Sequence, residues 1–154
     1  MKNSLSIIML LSLFLVHSCN KSTSKETAPE KVITAFTKQF PEAKEVEWSK
    51  ENDEEWEAEF ELNETDYSAN YLINGEWKST EYEINETEVP SEIRAILDQN
   101  FTDFEIEGIE VEETASGKVY EFMIEQGENE FEVLIDANGN LTKKKMEENE
   151  NDED

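Results

Sequence analysis

The chain has 154 residues and is strongly acidic, with 39 aspartates and glutamates against 13 lysines and arginines and a formal net charge of −26. Such a charge repels phosphates, which argues against a nucleic-acid-binding protein and favours basic protein partners or cations. Hydrophobic residues make up 36% and aromatic residues 10% of the chain, enough for a folded core. A charge that only keeps the protein soluble is the simpler alternative.

The N-terminus has the three parts of an export signal. Lys2 supplies a positive start, residues 5–16 form an apolar stretch, and Ser18-Cys19 closes it. The stretch is too short to cross a membrane, which takes roughly 20 apolar residues. A cysteine directly after a small residue at this position resembles the lipobox of bacterial lipoproteins, in which the cysteine is lipidated and becomes the mature N-terminus. We therefore predict lipidation at Cys19, the single cysteine; an ordinary secretory signal with an incidental cysteine is the alternative.

These features place the mature protein in the cell envelope. Residues 1–18 are the predicted signal peptide, and the polar residues 19–29 are a predicted lipidated tether. We expect the protein to face the periplasm from the outer membrane, with the lipid anchor as its only membrane contact. The nearly all-acidic residues 147–154 are predicted to form a disordered tail.

The part of the chain that is predicted to fold matches itself. Apolar positions recur 61 residues later and, after a three-residue insertion, 64 residues later. This ordered series predicts a tandem duplication, with residues 30–86 as the first repeat and 87–146 as the second. Among the matched pairs are Phe36 with Leu97, Trp56 with Tyr120, and Asn74-Gly75 with Asn138-Gly139.

Periodicity predicts the same order of elements in both repeats. Apolar residues at helical spacing over about 30–40, followed by Pro41, predict an amphipathic helix, and a second helix begins after Pro90. Apolar residues that alternate with acidic ones then predict half-buried antiparallel strands, with Asn-Gly dipeptides at tight hairpins. The predicted strands lie near 45–50, 56–62, 67–71 and 77–84, and near 105–112, 119–125, 131–135 and 140–146.

The fold class that follows is α+β, a tandem duplication of an α-β-β-β-β unit. One helix is expected to pack on each four-stranded antiparallel sheet, since a sheet with one apolar face needs a covering layer. Units of about 55 residues are marginal alone, so the two sheets should join or pack and the copies should fold together.

This arrangement resembles a known family. An export signal, the motif Phe-x-x-x-Phe-Pro from Phe36 to Pro41, a strand with Val46 and Trp48, and Asn-Gly hairpins are similar to the PepSY-like, β-lactamase-inhibitor-like family of small secreted bacterial proteins. The resemblance covers roughly residues 30–146. It implies a tandem fold similar to that of the secreted β-lactamase inhibitory protein, with a broad sheet surface for binding. No functional residue of that inhibitor is carried over, because no motif of its binding surface matches here.

The sequence offers no catalytic constellation. The only histidine is His17, inside the predicted signal, so a Ser-His-Asp triad is impossible in the mature chain. There is no glycine-rich loop to hold phosphates. We therefore predict that the protein is not an enzyme and has no cofactor.

One segment resembles the start of a calcium loop. Asp136 to Asn140 reads Asp-x-Asn-x-Asn, but its glycine stands at the fourth position, where such a loop has glycine at the sixth. The first repeat has Asn74-Gly75 at the same place and no aspartate. A hairpin turn is favoured over a metal site, and no metal site is predicted.

The acidic residues of the strands form the candidate binding face. They lie opposite the apolar residues of the same strands, because side chains alternate between the two faces of a sheet. Met123 and Leu134 interrupt the acidic pattern and could form an apolar centre inside a charged rim, or be covered by the other repeat. A merely solvated face is the alternative. The candidate residues are Glu57, Glu59, Glu121, Met123, Glu125, Glu132 and Leu134.

The aromatic residues suggest a ligand-stacking groove, but alternation places most of them on the face under the helix, which favours core packing.

The sequence as a whole predicts a non-enzymatic, lipid-anchored periplasmic module that binds a basic protein or peptide through its acidic sheet face. An inhibitor or regulator of a secreted hydrolase or peptidase, and a low-affinity binder of divalent cations, are the alternatives.

Overall fold

The structure is a computed structural model that describes residues 27–146. The predicted signal peptide, Cys19 and the acidic tail lie outside the described residues. Ala28, at the end of the segment predicted to be a tether, is only 4% exposed and belongs to the core.

Within residues 27–146, two α-helices and eight strands follow one another in the predicted order. A short 3-10 turn at Glu86–Glu88, which the sequence pattern did not predict, precedes the second helix. The elements are α1 (Glu30–Gln39), β1 (Lys44–Lys50), β2 (Glu55–Leu62), β3 (Thr65–Leu72), β4 (Trp77–Glu83), α2 (Ser91–Asn100), β5 (Glu105–Thr114), β6 (Gly117–Gln126), β7 (Asn129–Asp136) and β8 (Leu141–Lys145).

The strands form one antiparallel sheet of eight, in the order β1 to β8. The two predicted four-stranded sheets are thus joined edge to edge, one of the two arrangements expected, because β4 and β5 are hydrogen-bonded neighbours with Tyr82 opposite Val111. Separate sheets would each expose an additional edge with unpaired backbone groups, and the pairing of β4 with β5 removes both of these edges.

Helix α1 packs on the first half of the sheet. It ends before Pro41, as predicted, and Val32 and Phe36 on its inner side are 0% and 4% exposed. The Phe36 ring lies 5.0 Å from the Phe60 ring and 5.3 Å from the Trp48 ring, in edge-to-face geometry. The aromatic residues of this half therefore form core, as expected, and the buried members of the cluster are Ala28, Val32, Phe36, Trp56, Ala58, Phe60, Ala69 and Tyr71.

Helix α2 packs on the second half in the same manner. Ile93 and Leu97 are 6% and 0% exposed, and Phe101 closes the end of the helix. They contact the apolar residues of β5, β6 and β7, namely Ile109, Phe122, Ile124, Val133 and Ile135.

A polar group lies where the two halves meet on the helix side. The Tyr82 hydroxyl donates a hydrogen bond to Glu113 Oε1 (2.7 Å) and accepts one from Lys118 Nζ (3.0 Å). Lys118 also forms an ion pair with Glu113. These cross-strand contacts connect β4, β5 and β6, and so join the two halves.

The sheet has two unlike faces. Residues directly opposite each other on neighbouring strands share a face, and the registers place the buried residues of both halves on the same side, under α1 and α2. The opposite side, which we call the open face, carries the acidic residues of the strands.

Candidate binding face

All seven predicted binding residues lie on the open face, but in two separate groups. Glu57 and Glu59 are on β2, and the others are on β6 and β7. Three strands separate β2 from β6, so the groups are about 19 Å apart at roughly 4.8 Å per strand. The structure does not bring the two groups together.

The group on β2 is strongly acidic. Glu57 lies opposite Ser49 of β1, whose hydroxyl donates a hydrogen bond to Glu57 Oε2 (3.2 Å). Partial burial raises the pKa of Glu57, the Glu51 carboxylate raises it further, and the bond from Ser49 lowers it. Glu59 is exposed.

The group on β6 and β7 surrounds Glu121. This residue lies between Val119 and Met123 along β6 and directly opposite Leu134 of β7. Val119, Met123 and Leu134 are half-buried. The apolar centre expected from the sequence is therefore on the open face, away from both helices, and it includes Val119, which the sequence pattern did not single out.

Glu132 and Glu125 form the rim of this group. Glu132 pairs with Lys144 of β8 at 3.4 Å. Glu125 lies beside Glu105 and Glu107, and one oxygen of each carboxylate falls within 4.8 Å of the others. All three side chains are exposed, so hydration opposes tight binding of a cation there.

Three carboxylates that were not predicted as site residues, Glu81, Glu110 and Glu112, lie beside the predicted Glu121 at the middle of the open face. We call Glu81, Glu110, Glu112 and Glu121 the central carboxylates. Glu81 lies opposite Glu112, and Glu110 lies opposite Glu121. Like charges that face each other across strands destabilise a sheet. Alternation within β4 and β5 could have placed these residues on the open face, but only the strand order shows that they are neighbours.

The pKa values of three central carboxylates are raised. Partial burial raises the pKa of Glu81, and the Glu112 carboxylate raises it further. Burial and the Glu81 carboxylate raise the pKa of Glu110. Burial and the Glu132 carboxylate raise the pKa of Glu121, and the positive charge of Lys144 partly offsets this increase. Among residues 27–146, no lysine or arginine forms an ion pair with any of the central carboxylates.

Two depressions mark the open face. The larger has a volume of about 660 Å³ and a mostly polar lining that includes Asn70, Ser79 and Thr114. The smaller, of about 250 Å³, is bounded by the central carboxylates together with Val119 and Leu134. We call the smaller one the central cleft.

Asp136 takes part in a hairpin turn, as expected. Its Oδ1 accepts hydrogen bonds from the backbone N–H groups of Asn138 and Asn140, both at 2.9 Å, and its Oδ2 accepts one from the Asn140 amide at 2.8 Å. These bonds lower the pKa of Asp136. The carboxylate thus stabilises the turn between β7 and β8.

A family model with the description "putative beta-lactamase-inhibitor-like, PepSY-like" matches residues 54–143, which is more than half of the chain. The chain belongs to this PepSY-like family. The match includes β2 to β7 and therefore all seven candidate residues of the open face.

Solved structures share the fold of this PepSY-like chain. A BLIP-like protein from Bacteroides fragilis is 16% identical with a TM-score of 0.69, and the match covers 82% of this chain and 93% of that one. A "putative periplasmic" protein from Bacteroides eggerthii is 17% identical with a TM-score of 0.68, covering 78% and 90%. A DUF2874 family protein from Bacteroides ovatus is 17% identical with a TM-score of 0.68, and the match covers 78% of this chain and 89% of that one.

A search of curated proteins finds no match to the PepSY-like chain. Within the described residues, neither helix has the length and apolar character needed to span a membrane.

Proposed function

We propose that the protein is a non-enzymatic, lipid-anchored module of the periplasm that binds a basic protein or peptide through its open face. The observation that carries this proposal is the patch formed by Val119, Met123 and Leu134. These half-buried apolar side chains lie outside both cores, next to Glu121 and with further carboxylates around them, and apolar groups bordered by polar ones are typical of protein interfaces. The charge of the rim favours a partner of opposite charge.

The comparisons support the location and the type of module. One structure of the same fold is described as putative periplasmic, which fits the export signal predicted for this chain. Membership of a β-lactamase-inhibitor-like family fits a protein that acts by binding. Function cannot be read from fold alone, so the open face carries the proposal.

We also propose that the two halves arose by tandem duplication. Phe36 and Leu97 occupy matching buried positions on α1 and α2. Gly75 lies against α1 near Ala35, and Gly139 lies against α2 near Ile96, which is 61 residues after Ala35. Equivalent residues thus make equivalent contacts in each half.

The second candidate function is inhibition or regulation of a secreted hydrolase. The BLIP-like relative and the family description favour it. The binding geometry would be the same, with the open face against the enzyme, so the identity of the captured protein separates the two functions.

Capture from an envelope extract tests the open face. The soluble 20–154 chain, which keeps every described residue, is immobilised as wild type, as Met123→Arg and as Ala95→Arg. Ala95 is exposed on α2, so the second variant places the same charge on the helix side. We expect mass spectrometry to find one defined protein retained by wild type and Ala95→Arg and lost with Met123→Arg. Equal retention by all three chains would rule out the open face.

Fractionation tests the anchor. Cys19→Ser removes the sulfur that the lipid needs, so we expect the full-length variant to leave the membrane fraction or to accumulate with its signal uncleaved. Cys19→Ala is expected to behave identically, whereas Ser18→Ala, which keeps a small residue before the cysteine, should leave anchoring in place. A Cys19→Ser protein that is processed and still membrane-bound would contradict the lipid anchor.

A further inference from the structure

The central cleft joins two kinds of surface. One wall is aliphatic, formed by Val119 and Leu134, and the rest is carboxylate. A long basic side chain has the same division, since an apolar stem carries a charged head group. The cleft is therefore complementary to lysine and arginine both in charge and in the arrangement of apolar and polar surface.

The ion pairs of Lys44, Lys118 and Lys144 lie away from the middle of the open face, although the charge of Lys144 partly offsets the raised pKa of Glu121. Lys44 pairs with Glu61 near one edge and Lys144 with Glu132 near the other, and Lys118 pairs with Glu113 on the helix side. Within the described part of the chain, no such pair reaches the central carboxylates. An incoming cation at the middle of the open face would thus relieve repulsion between neighbouring strands.

We propose that the partner docks by inserting one lysine or arginine side chain into the central cleft, with its stem against Val119 and Leu134 and its charged head among the central carboxylates. Apolar residues of the partner that lie next to this lysine or arginine then pack on the apolar patch that includes Met123. This inference rests on the proposed function, because it names the chemistry of the partner that the open face binds.

The raised pKa values of Glu81, Glu110 and Glu121 agree with this role. They show that the ionised forms are disfavoured in the absence of a cation. A guanidinium or ammonium group would favour those ionised forms and form charge-assisted hydrogen bonds with them.

The test uses a side-chain analogue and needs no natural partner. The isotope-labelled 20–154 chain is titrated by NMR with n-butylguanidinium at low ionic strength, and separately with neutral n-butylurea and with Mg²⁺. We expect butylguanidinium to shift the methyl signals of Val119 and Leu134 and the carboxyl signals of the central carboxylates first. Butylurea should bind about tenfold more weakly, because it lacks the charge.

Two double variants complete the test. Glu110→Gln/Glu121→Gln should weaken butylguanidinium binding about tenfold. Glu30→Gln/Glu92→Gln removes the same charge from exposed positions on α1 and α2 and should weaken binding far less. Amide spectra that match wild type show that each variant is folded.

Three results would overturn the inference: shifts spread evenly over all exposed carboxylates, equal binding of butylurea, or Mg²⁺ moving the Val119 and Leu134 signals as strongly as butylguanidinium. None of them bears on capture of a partner. If a protein is captured in a Met123-dependent manner but butylguanidinium does not bind in the cleft, the proposed function stands. The proposal that a basic side chain inserts into the cleft is then wrong.

Discussion

Gly75 connects a hairpin turn to a helix. Its φ of +88° belongs to the left-handed region, as expected for an Asn-Gly turn, and its N–H donates to the Leu72 carbonyl (2.8 Å). The backbone of α1 is so close that a Cβ at this position would lie 2.8 Å from the Lys31 carbonyl oxygen. The glycine is thus required both by the turn and by the packing of α1 on the sheet, and the sequence pattern predicted only the first.

We predict that Gly75→Ala destabilises the fold by about 2–5 kcal/mol, which combines left-handed strain with a backbone clash. Gly127→Ala is the matched control. Its φ is +68° and no heavy atom lies within 4 Å of the position that a Cβ would take, so only the strain of about 1–2 kcal/mol applies. Urea unfolding of the wild type and of both variants measures the two losses in the free energy of unfolding. Equal losses would mean that α1 moves aside without cost.

At the scale of helices and strands, local patterns predicted nearly every element. Alternation in β2 and in β6 identified the buried side of each strand, because it depends only on neighbouring residues. The pairing of β4 with β5 could not be derived in this way. A strand's periodicity gives its faces but not its neighbours, so the opposition of Glu81 and Glu112, and with it the central cleft, required the structure.

The same limit applies to irregular backbone. The β-bulge between Ile106 and Gly108 in β5 and the 3-10 turn before α2 depend on tertiary contacts, and no local pattern marked them. Because of the bulge Glu105 lies opposite Glu125 on the open face, whereas simple alternation back from the buried Ile109 would have placed Glu105 on the helix side. The predicted residues thus share one face of the sheet, and some of their neighbours on that face were not predicted.

For the whole molecule, the carboxylates make stability depend on pH. Glu57, Glu81, Glu110 and Glu121 have pKa values above the ordinary value of 4.5, mainly through partial burial. Between 4.5 and those raised values the folded state binds more protons than the unfolded state, so its stability falls as pH rises. Glu88, whose pKa is lowered by bonds from Asn85, acts in the opposite direction below 4.5.

We therefore predict that the free energy of unfolding increases as pH falls from neutrality toward 4.5 and decreases on further acidification. Urea titrations at a series of pH values measure it. Glu110→Gln/Glu121→Gln should flatten the slope above 4.5, whereas Glu128→Gln, in the exposed turn between β6 and β7, should change the slope much less. A stability that decreases steadily from pH 7 downward would show that the open face does not strain the fold.

The order of the strands has a consequence for how the chain folds. Every pairing in the sheet joins strands that are consecutive in sequence. The contact order is therefore low for a protein rich in β-structure, and low contact order accompanies fast folding. A chain that emerges with its N-terminus first can add each hairpin to the one before it, and no strand waits exposed for a partner from the far end.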